Sequence, residues 1–276
     1  MIETSTLTKS AISEYISKGK RFDKRQLSEF RNLSIDLALS KKAEGGAKVK
    51  LGKTEVWVGV KMEIAEPYPD SPDKGNLMVT AELLPLSSSK YEYGPPKFNA
   101  IEIGRLVDRG IRESKFIDFE KLCIKEGEKV WAVIIDIYSI NDDGNLLDAA
   151  FIGALAALKS AKMPFYDEKK EKIDYEAESK KKIPLTKNIP INFSIHKIKN
   201  SFFLDPSIEE ELASEGRIIL AFIPDSPVKI CSMQKGETMV VSTDEFNKAI
   251  KLAEDKYDSF FSEVMKKIDS EILKLK

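Results

Sequence analysis

The chain has 276 residues, 42% of them hydrophobic, enough for one large domain or two small ones with a real core. Its 44 basic and 45 acidic side chains nearly cancel, so no global field recruits a polyanion, and any such site must be a local ridge or pocket. A single histidine, His196, and two distant cysteines, Cys123 and Cys231, exclude a two-histidine metal site and a CxxC pair. The cysteines read as buried free thiols of a reducing cytoplasm. No apolar run is long enough to span a bilayer, and the first residues lack a signal-peptide core.

In chain order, Ser5 to Gly19 is predicted as a short amphipathic helix with Ile12, Tyr15 and Ile16 on one side and Gly19 as its stop. An extended segment follows around Leu33, Ile35 and Leu37. Ala47, Val49 and Leu51 alternate with lysines, Gly52-Lys53 turns the chain, and Val56, Val58 and Val60 alternate again, which predicts a hairpin with one buried face. Glu66 to Gly75 holds three prolines and must be loop. Leu77 to Leu83 is a further strand, and Tyr91 to Pro96 a second loop.

Asn99 to Ser114 is predicted as a helix, with Asn99 as cap and Glu102 in the capping-box position. Ile103, Leu106, Val107 and Ile111 give one buried stripe. Arg105, Arg109 and Arg112, spaced four and then three apart, stack three guanidinium groups along one flank. A guanidinium is permanently charged and its planar fork suits phosphate, so the flank is a candidate phosphate-binding ridge. The competing reading is local pairing: Asp108 lies four before Arg112 and Glu102 three before Arg105, whereas Arg109 has no acid three or four positions before it.

Val130 to Ile140 is an apolar run expected as a central strand buried on both faces. After the turn Asn141-Asp142-Asp143-Gly144, the alanine-rich Leu147 to Ala161 is expected as a core helix. Tyr166 to Lys182 is almost all charged and reads equally as a linker or as a solvated excursion. Strand patterns return over Ile189 to Phe203, Ile218 to Ile223 and Val228 to Met233. A long helix starts at Ser242 with Glu245 three on. The order implies an α+β fold. The expected division is an N-terminal helical arm (1–30), a first subdomain (31–165), the charged segment (166–186) and a second subdomain with the last helix (187–276).

No G-x-S-x-G, P-loop or G-x-G-x-x-G occurs. His196, alternating with Asn192 and Ser194 on a strand, reads as structural. Asp205 follows Phe202-Phe203-Leu204 at a strand end, where an acid could be functional; Glu209, Glu210 and Glu211 read as a helix surface.

Together, G-K-R-F-D-K-R, V-K-L-G-K-T-E-V-W-V-G-V, G-P-P, R-L-V-D-R-G-I-R-E-S and D-G-N-L-L-D-A-A resemble the RNase PH superfamily, and within it the non-catalytic ring subunits of archaeal exosomes. The resemblance implies a fold of two βαβ-type subdomains with a long C-terminal helix. It further implies a six-membered ring in which three such subunits alternate with three catalytic RNase PH-like partners, joined by RNA-binding cap proteins. Such a ring degrades single-stranded RNA from its 3′ end by phosphorolysis. Catalytic relatives hold phosphate with a Gly-Gly-Thr/Ser-Arg turn before the core helix; here Asn145, Leu146 and Leu147 stand there, and leucine cannot bind an anion. In the acid strand of those relatives Lys199 replaces the first aspartate, Asp205 is kept and Glu211 takes the later acid position. The resemblance therefore implies no catalytic residue, metal or cofactor in this chain, RNA contact by Arg105, Arg109 and Arg112, and a cytoplasmic location. The alternative is a self-sufficient phosphorolytic 3′-to-5′ exoribonuclease using Asp205 and Glu211.

Overall fold

Period-two alternation builds the first sheet. On β2 (Gly45–Leu51) and β3 (Thr54–Ala65) the apolar residues Ala47, Val49, Leu51, Val56, Val58 and Val60 are all buried. The register places Val49 opposite Val56 and Ala47 opposite Val58, so the apolar set shares one face. With β1 (Leu33–Asp36), β4 (Asn76–Leu83), β5 (Cys123–Lys125) and β6 (Lys129–Asn141), the strand order is β1-β2-β3-β6-β4, and β5 pairs with β6. β6 runs antiparallel to β3 and parallel to β4. The parallel pair needs a crossover, and α2 (Phe98–Glu113) lies within it. In this computed structural model the described residues are 5–275 apart from 38, 41, 176, 178 and 180.

The expected central strand is β6: Val130 to Val133 are buried on both faces before Tyr138 surfaces. The core helix is α3 (Leu146–Ser160), buried without a break from Leu146 to Leu158. Its small residues let β3 close in: a Cβ at Gly153 would stand 2.6 Å from Val58 Cγ2. The other side of α3 meets the second sheet, made of β9 (Ile191–Ile198), β10 (Ser201–Leu204), β11 (Gly216–Ile223) and β12 (Lys229–Gly236). That sheet is antiparallel throughout, in the order β10-β9-β11-β12, with α4 (Ile208–Ala213) between β10 and β11. The long last helix, α5 (Thr243–Lys274), starts with the expected capping box of Ser242 and Glu245. It buries Ala253, Tyr257, Phe260, Val264 and Ile268 against the second sheet and β1. α1 (Thr6–Ser17) brings Ile12 and Ile16 to a small separate core with Ile198 and Phe203.

Five local expectations change. α2 begins at Phe98 and its cap position is Lys97, with no side-chain cap bond; the rigid Pro95-Pro96 entry starts the helix before Asn99 can cap it. Tyr15 is exposed and its ring stands against Phe22 rather than in the core. Ile189 to Phe203 is not one strand: it folds back at Lys199, left-handed at φ 51°. Cys123 and Cys231 are free but only half-buried. The charged segment carries a small hairpin, β7 (Phe165–Asp167) with β8 (Lys172–Asp174); its positions 176, 178 and 180 lie outside the described residues. No described helix is long and apolar enough to cross a membrane.

Candidate nucleic-acid interface

α2 is a rigid platform because two glycines notch its inner face. A Cβ at Gly104 would meet the Val79 carbonyl oxygen at 3.0 Å, and one at Gly110 would meet Phe151 Cε2 at 2.4 Å. Between and around them Ile103, Val107 and Ile111 are buried. The helix is thereby pressed onto β4 and α3, and the opposite flank faces outward. Arg105, Arg109 and Arg112 are all exposed there. They rim an open groove of about 730 Å³ between α2 and β12, together with Ile101 and Gln234.

The three arginines are not equivalent. Arg112 bonds Asp108, Nη2 to Oδ1 at 2.8 Å and Nε to Oδ2 at 3.2 Å, and donates to the Leu77 carbonyl at 3.3 Å. Its guanidinium also lies 5.7 Å from the Phe119 ring centroid. The second local pairing read from spacing does not form. Glu102 turns away from Arg105 and accepts from Arg217 Nη2 on β11 at 2.6 Å. Among the described residues Arg105 and Arg109 make no ion pair.

The N-terminus of α3 handles charge differently. The turn before it places Gly144 at φ 88° and Asn145 at φ 56°. A Cβ at Gly144 would sit 2.5 Å from the Ser207 carbonyl carbon, so only glycine fits this approach. A helix N-terminus attracts anions through its free N–H groups, and here the chain supplies its own. The Asn145 N–H donates to Glu211 Oε2 at 2.8 Å. Leu146 and Leu147 beside it are buried. The pocket in front, about 360 Å³, is lined by Asn145, Leu147, His196, Glu211 and Arg217. Its Lys and Arg side chains are spoken for: Lys90 pairs with Asp142 at 2.6 Å, Arg217 pairs with Glu102 and Glu211, and Lys235 donates to the Glu237 and Met239 carbonyls at 2.9 and 3.0 Å.

Asp205 is fully buried. Oδ2 accepts from the Arg31 backbone N–H (2.7 Å), Arg31 Nε (2.9 Å) and Arg25 Nη1 (2.9 Å); Oδ1 accepts from Arg31 Nη2 (2.7 Å) and Asn145 Nδ2 (2.8 Å). Burial pushes its carboxyl up, but the Arg31 bonds and charge outweigh burial and hold it below the ordinary value. It therefore stays ionised and has no proton to give. Glu210, expected on a helix surface, is buried and bonded by Arg21 at 2.9 and 2.5 Å, because the capping box that starts α4 turns it inward. Glu211 is half-buried, and burial is the chief cause raising its carboxyl; only Glu209 of the three is exposed.

Two further groups were invisible in the sequence or read only as structural. Asp148, in the first turn of α3, is buried and accepts from Asn192 Nδ2 (2.7 Å), Ser194 Oγ (2.9 Å) and Ser194 N (3.2 Å). Burial pushes it up to about 6. His196 is buried beside Phe203 with Nδ1 3.1 Å from Ser214 Oγ, and burial, then the Arg217 charge, push it down to about 3. Lys199 stands exposed in the β9–β10 turn. The arginines of the G-K-R-F-D-K-R stretch, Arg21 and Arg25, had a sequence signal as part of a motif, but no signal for which acids they bind.

Residues 29–164 match the 3′ exoribonuclease family, domain 1, and residues 188–256 match its domain 2. The exosome complex component Rrp42 of Thermococcus onnurineus is 41% identical over 97% of both chains. That of Methanothermobacter thermautotrophicus is 40% identical over 91% of both. A chain of the solved Archaeoglobus fulgidus exosome with RNA bound to the active site superposes with a TM-score of 0.85 at 36% identity, covering 93% of this chain and 97% of that one. The chain belongs to the RNase PH-type 3′ exoribonuclease family, alongside the archaeal exosome components named Rrp42.

Proposed function

We propose that the chain is a non-catalytic ring subunit of a cytoplasmic archaeal-type RNA exosome. It shapes the active site of a catalytic RNase PH-like partner in a three-plus-three ring and helps hold single-stranded RNA during 3′-to-5′ phosphorolysis, with RNA-binding cap proteins on the ring. The observation that carries this reading is the Asn145–Glu211 bond. At the helix N-terminus where catalytic relatives seat inorganic phosphate, an internal carboxylate already occupies one of the donors, the Asn145 N–H. Asp205, the retained aspartate, is saturated by arginines and kept ionised, so it cannot protonate a leaving 3′ oxygen.

RNA contact falls to Arg105 and Arg109. They lie one helical turn apart, about 6 Å along the axis, on an exposed flank, and neither is neutralised by an acid among the described residues. Arg112, committed to Asp108, contributes to the local field rather than to a phosphate bond. Phosphate contacts position a strand without reading its sequence, which suits degradation of varied RNA.

The purified chain is expected to release no nucleoside diphosphate from RNA and inorganic phosphate, and to do so only when combined with a catalytic partner; release by the chain alone overturns the reading in favour of a self-sufficient enzyme. In the assembled ring, Arg105→Ala/Arg109→Ala is expected to lower the salt slope of single-stranded RNA binding by about 1.4, from roughly 0.7 per phosphate contact. An unchanged slope leaves a ring scaffold with no RNA role.

A further inference from the structure

Arg105 is flanked on its own helix by two acids, Glu102 three residues before it and Asp108 three residues after. At that spacing on a helix, oppositely charged side chains pair. A guanidinium so paired is half-neutralised and less able to hold a phosphate. In the folded protein neither acid reaches it. Asp108 is held by Arg112, and Glu102 is drawn across to the second sheet by Arg217, 115 residues further along the chain.

Arg217 is built to make that capture. It is the second residue of β11, paired in register with Gly236 on β12 and His196 on β9. Gly236 leaves room for both partners: a Cβ there would stand 3.2 Å from Arg217 Cγ and 3.7 Å from Glu102 Oε1. The side chains of Arg217 and Glu102 are 18% and 19% exposed, which strengthens their attraction over that of a solvated helix-surface pair. Glu211, 3.6 Å from Arg217 Nη1, steadies the guanidinium from the far side.

We propose that Arg217 is a positioning residue for RNA binding: by sequestering Glu102 it keeps Arg105 unpaired and available to a phosphate. This rests on Arg105 contacting RNA, as proposed above. Arg217 itself touches no RNA. Its effect is transmitted entirely through where Glu102 points. Removing Arg217 releases Glu102 to fold back onto Arg105, and removing Glu102 as well makes the loss of Arg217 harmless for RNA. Glu113, four after Arg109, is in the less favourable order for a helix pair and does not offer Arg105 the same competition.

The test is a cycle in the assembled ring, reading the salt dependence of binding to a single-stranded RNA oligonucleotide without phosphate. Arg105→Ala is expected to lower the slope by about 0.7, one phosphate contact. Arg217→Gln is expected to lower it by a similar amount, Glu102→Gln to leave it at the wild-type value, and Glu102→Gln/Arg217→Gln to restore it. Gly236→Ala, which crowds Arg217 without removing it, gives a milder loss with the same rescue if Arg217→Gln does not assemble. A double variant as weak as Arg217→Gln overturns the inference, since the lost slope then does not pass through Glu102. So does a normal slope for Arg217→Gln alongside a reduced one for Arg105→Ala. If Arg105→Ala itself keeps the wild-type slope, the RNA-contact reading fails first and the inference falls with it.

Discussion

The end of α3 around Asp205 and the outer flank of α2 both concentrate arginines, and they use them in opposite ways. Around Asp205, Arg25 and Arg31 are 11% exposed at their side chains and converge on one fully buried carboxylate. Along α2, Arg105 and Arg109 are exposed and meet no acid among the described residues. A buried charge must be compensated inside the protein, because desolvating it alone costs several kcal/mol. An exposed one can wait for a ligand. The first region is therefore fold, and the second is available for function. The contrast is sharper because the first region is where the resemblance places the phosphate turn of catalytic relatives.

The largest way to break this comparison is Asp205→Ala. It leaves Arg25 and Arg31 with an empty centre, and removing one partner of a buried ionic network costs about 3–5 kcal/mol. Equilibrium urea denaturation reads this directly. A loss below 1 kcal/mol would mean that Asp205 is not a structural anchor and that its charge is free for chemistry after all.

The next effect separates the regions by the solution variable each obeys: pH for the buried groups, salt for the exposed ones. His196 is pushed down to about 3 from 6.5. The unfolded chain therefore binds that proton first, and stability falls as pH drops from 6.5 toward 3. Asp148 is pushed up to about 6 from 3.8. There the folded protein binds the proton first, and stability is gained as pH drops from 6 toward 3.8. Between pH 6 and 4 the two oppose each other and nearly cancel. Asp148→Asn removes one side of that balance. Its stability is expected to fall by about 1.4 kcal/mol for each pH unit below 6, relative to wild type. Denaturation midpoints at pH 6, 5 and 4 measure it, and parallel curves for the two proteins would show that the compensation does not exist.

What could be read from the sequence follows the same division. The β2–β3 register, the two-faced burial of β6, the buried α3 and the capped α5 all depend on local periodicity, and each was legible. The arginine spacing on α2 was legible for the same reason. The Asp205 network was not. Its arginines lie 174 and 180 residues away in sequence. The Ser207-to-Glu210 spacing signals a capping box, but nothing in the Glu209 to Glu211 run names Arg21 as the partner its middle member meets. The capture of Glu102 was equally hidden, because spacing offers Arg105 as a partner and only the fold supplies Arg217. Pairing within a helix can be proposed from sequence; the competition between near and distant partners is decided by packing.

The smallest expected effect tests whether the exposed flank holds two available arginines or three. Asp108→Asn breaks an exposed helix-surface pair, which costs about 0.3–0.5 kcal/mol. It does not remove the other ties on Arg112, the Leu77 carbonyl and the Phe119 ring. Arg112 is therefore expected to stay turned toward β4, and the salt slope for single-stranded RNA to remain at the wild-type value. A slope steeper by about 0.7 would show that Asp108 alone was withholding Arg112. The ridge would then comprise three phosphate contacts, and the boundary between the compensated and the available charges would run through Asp108 rather than beside it.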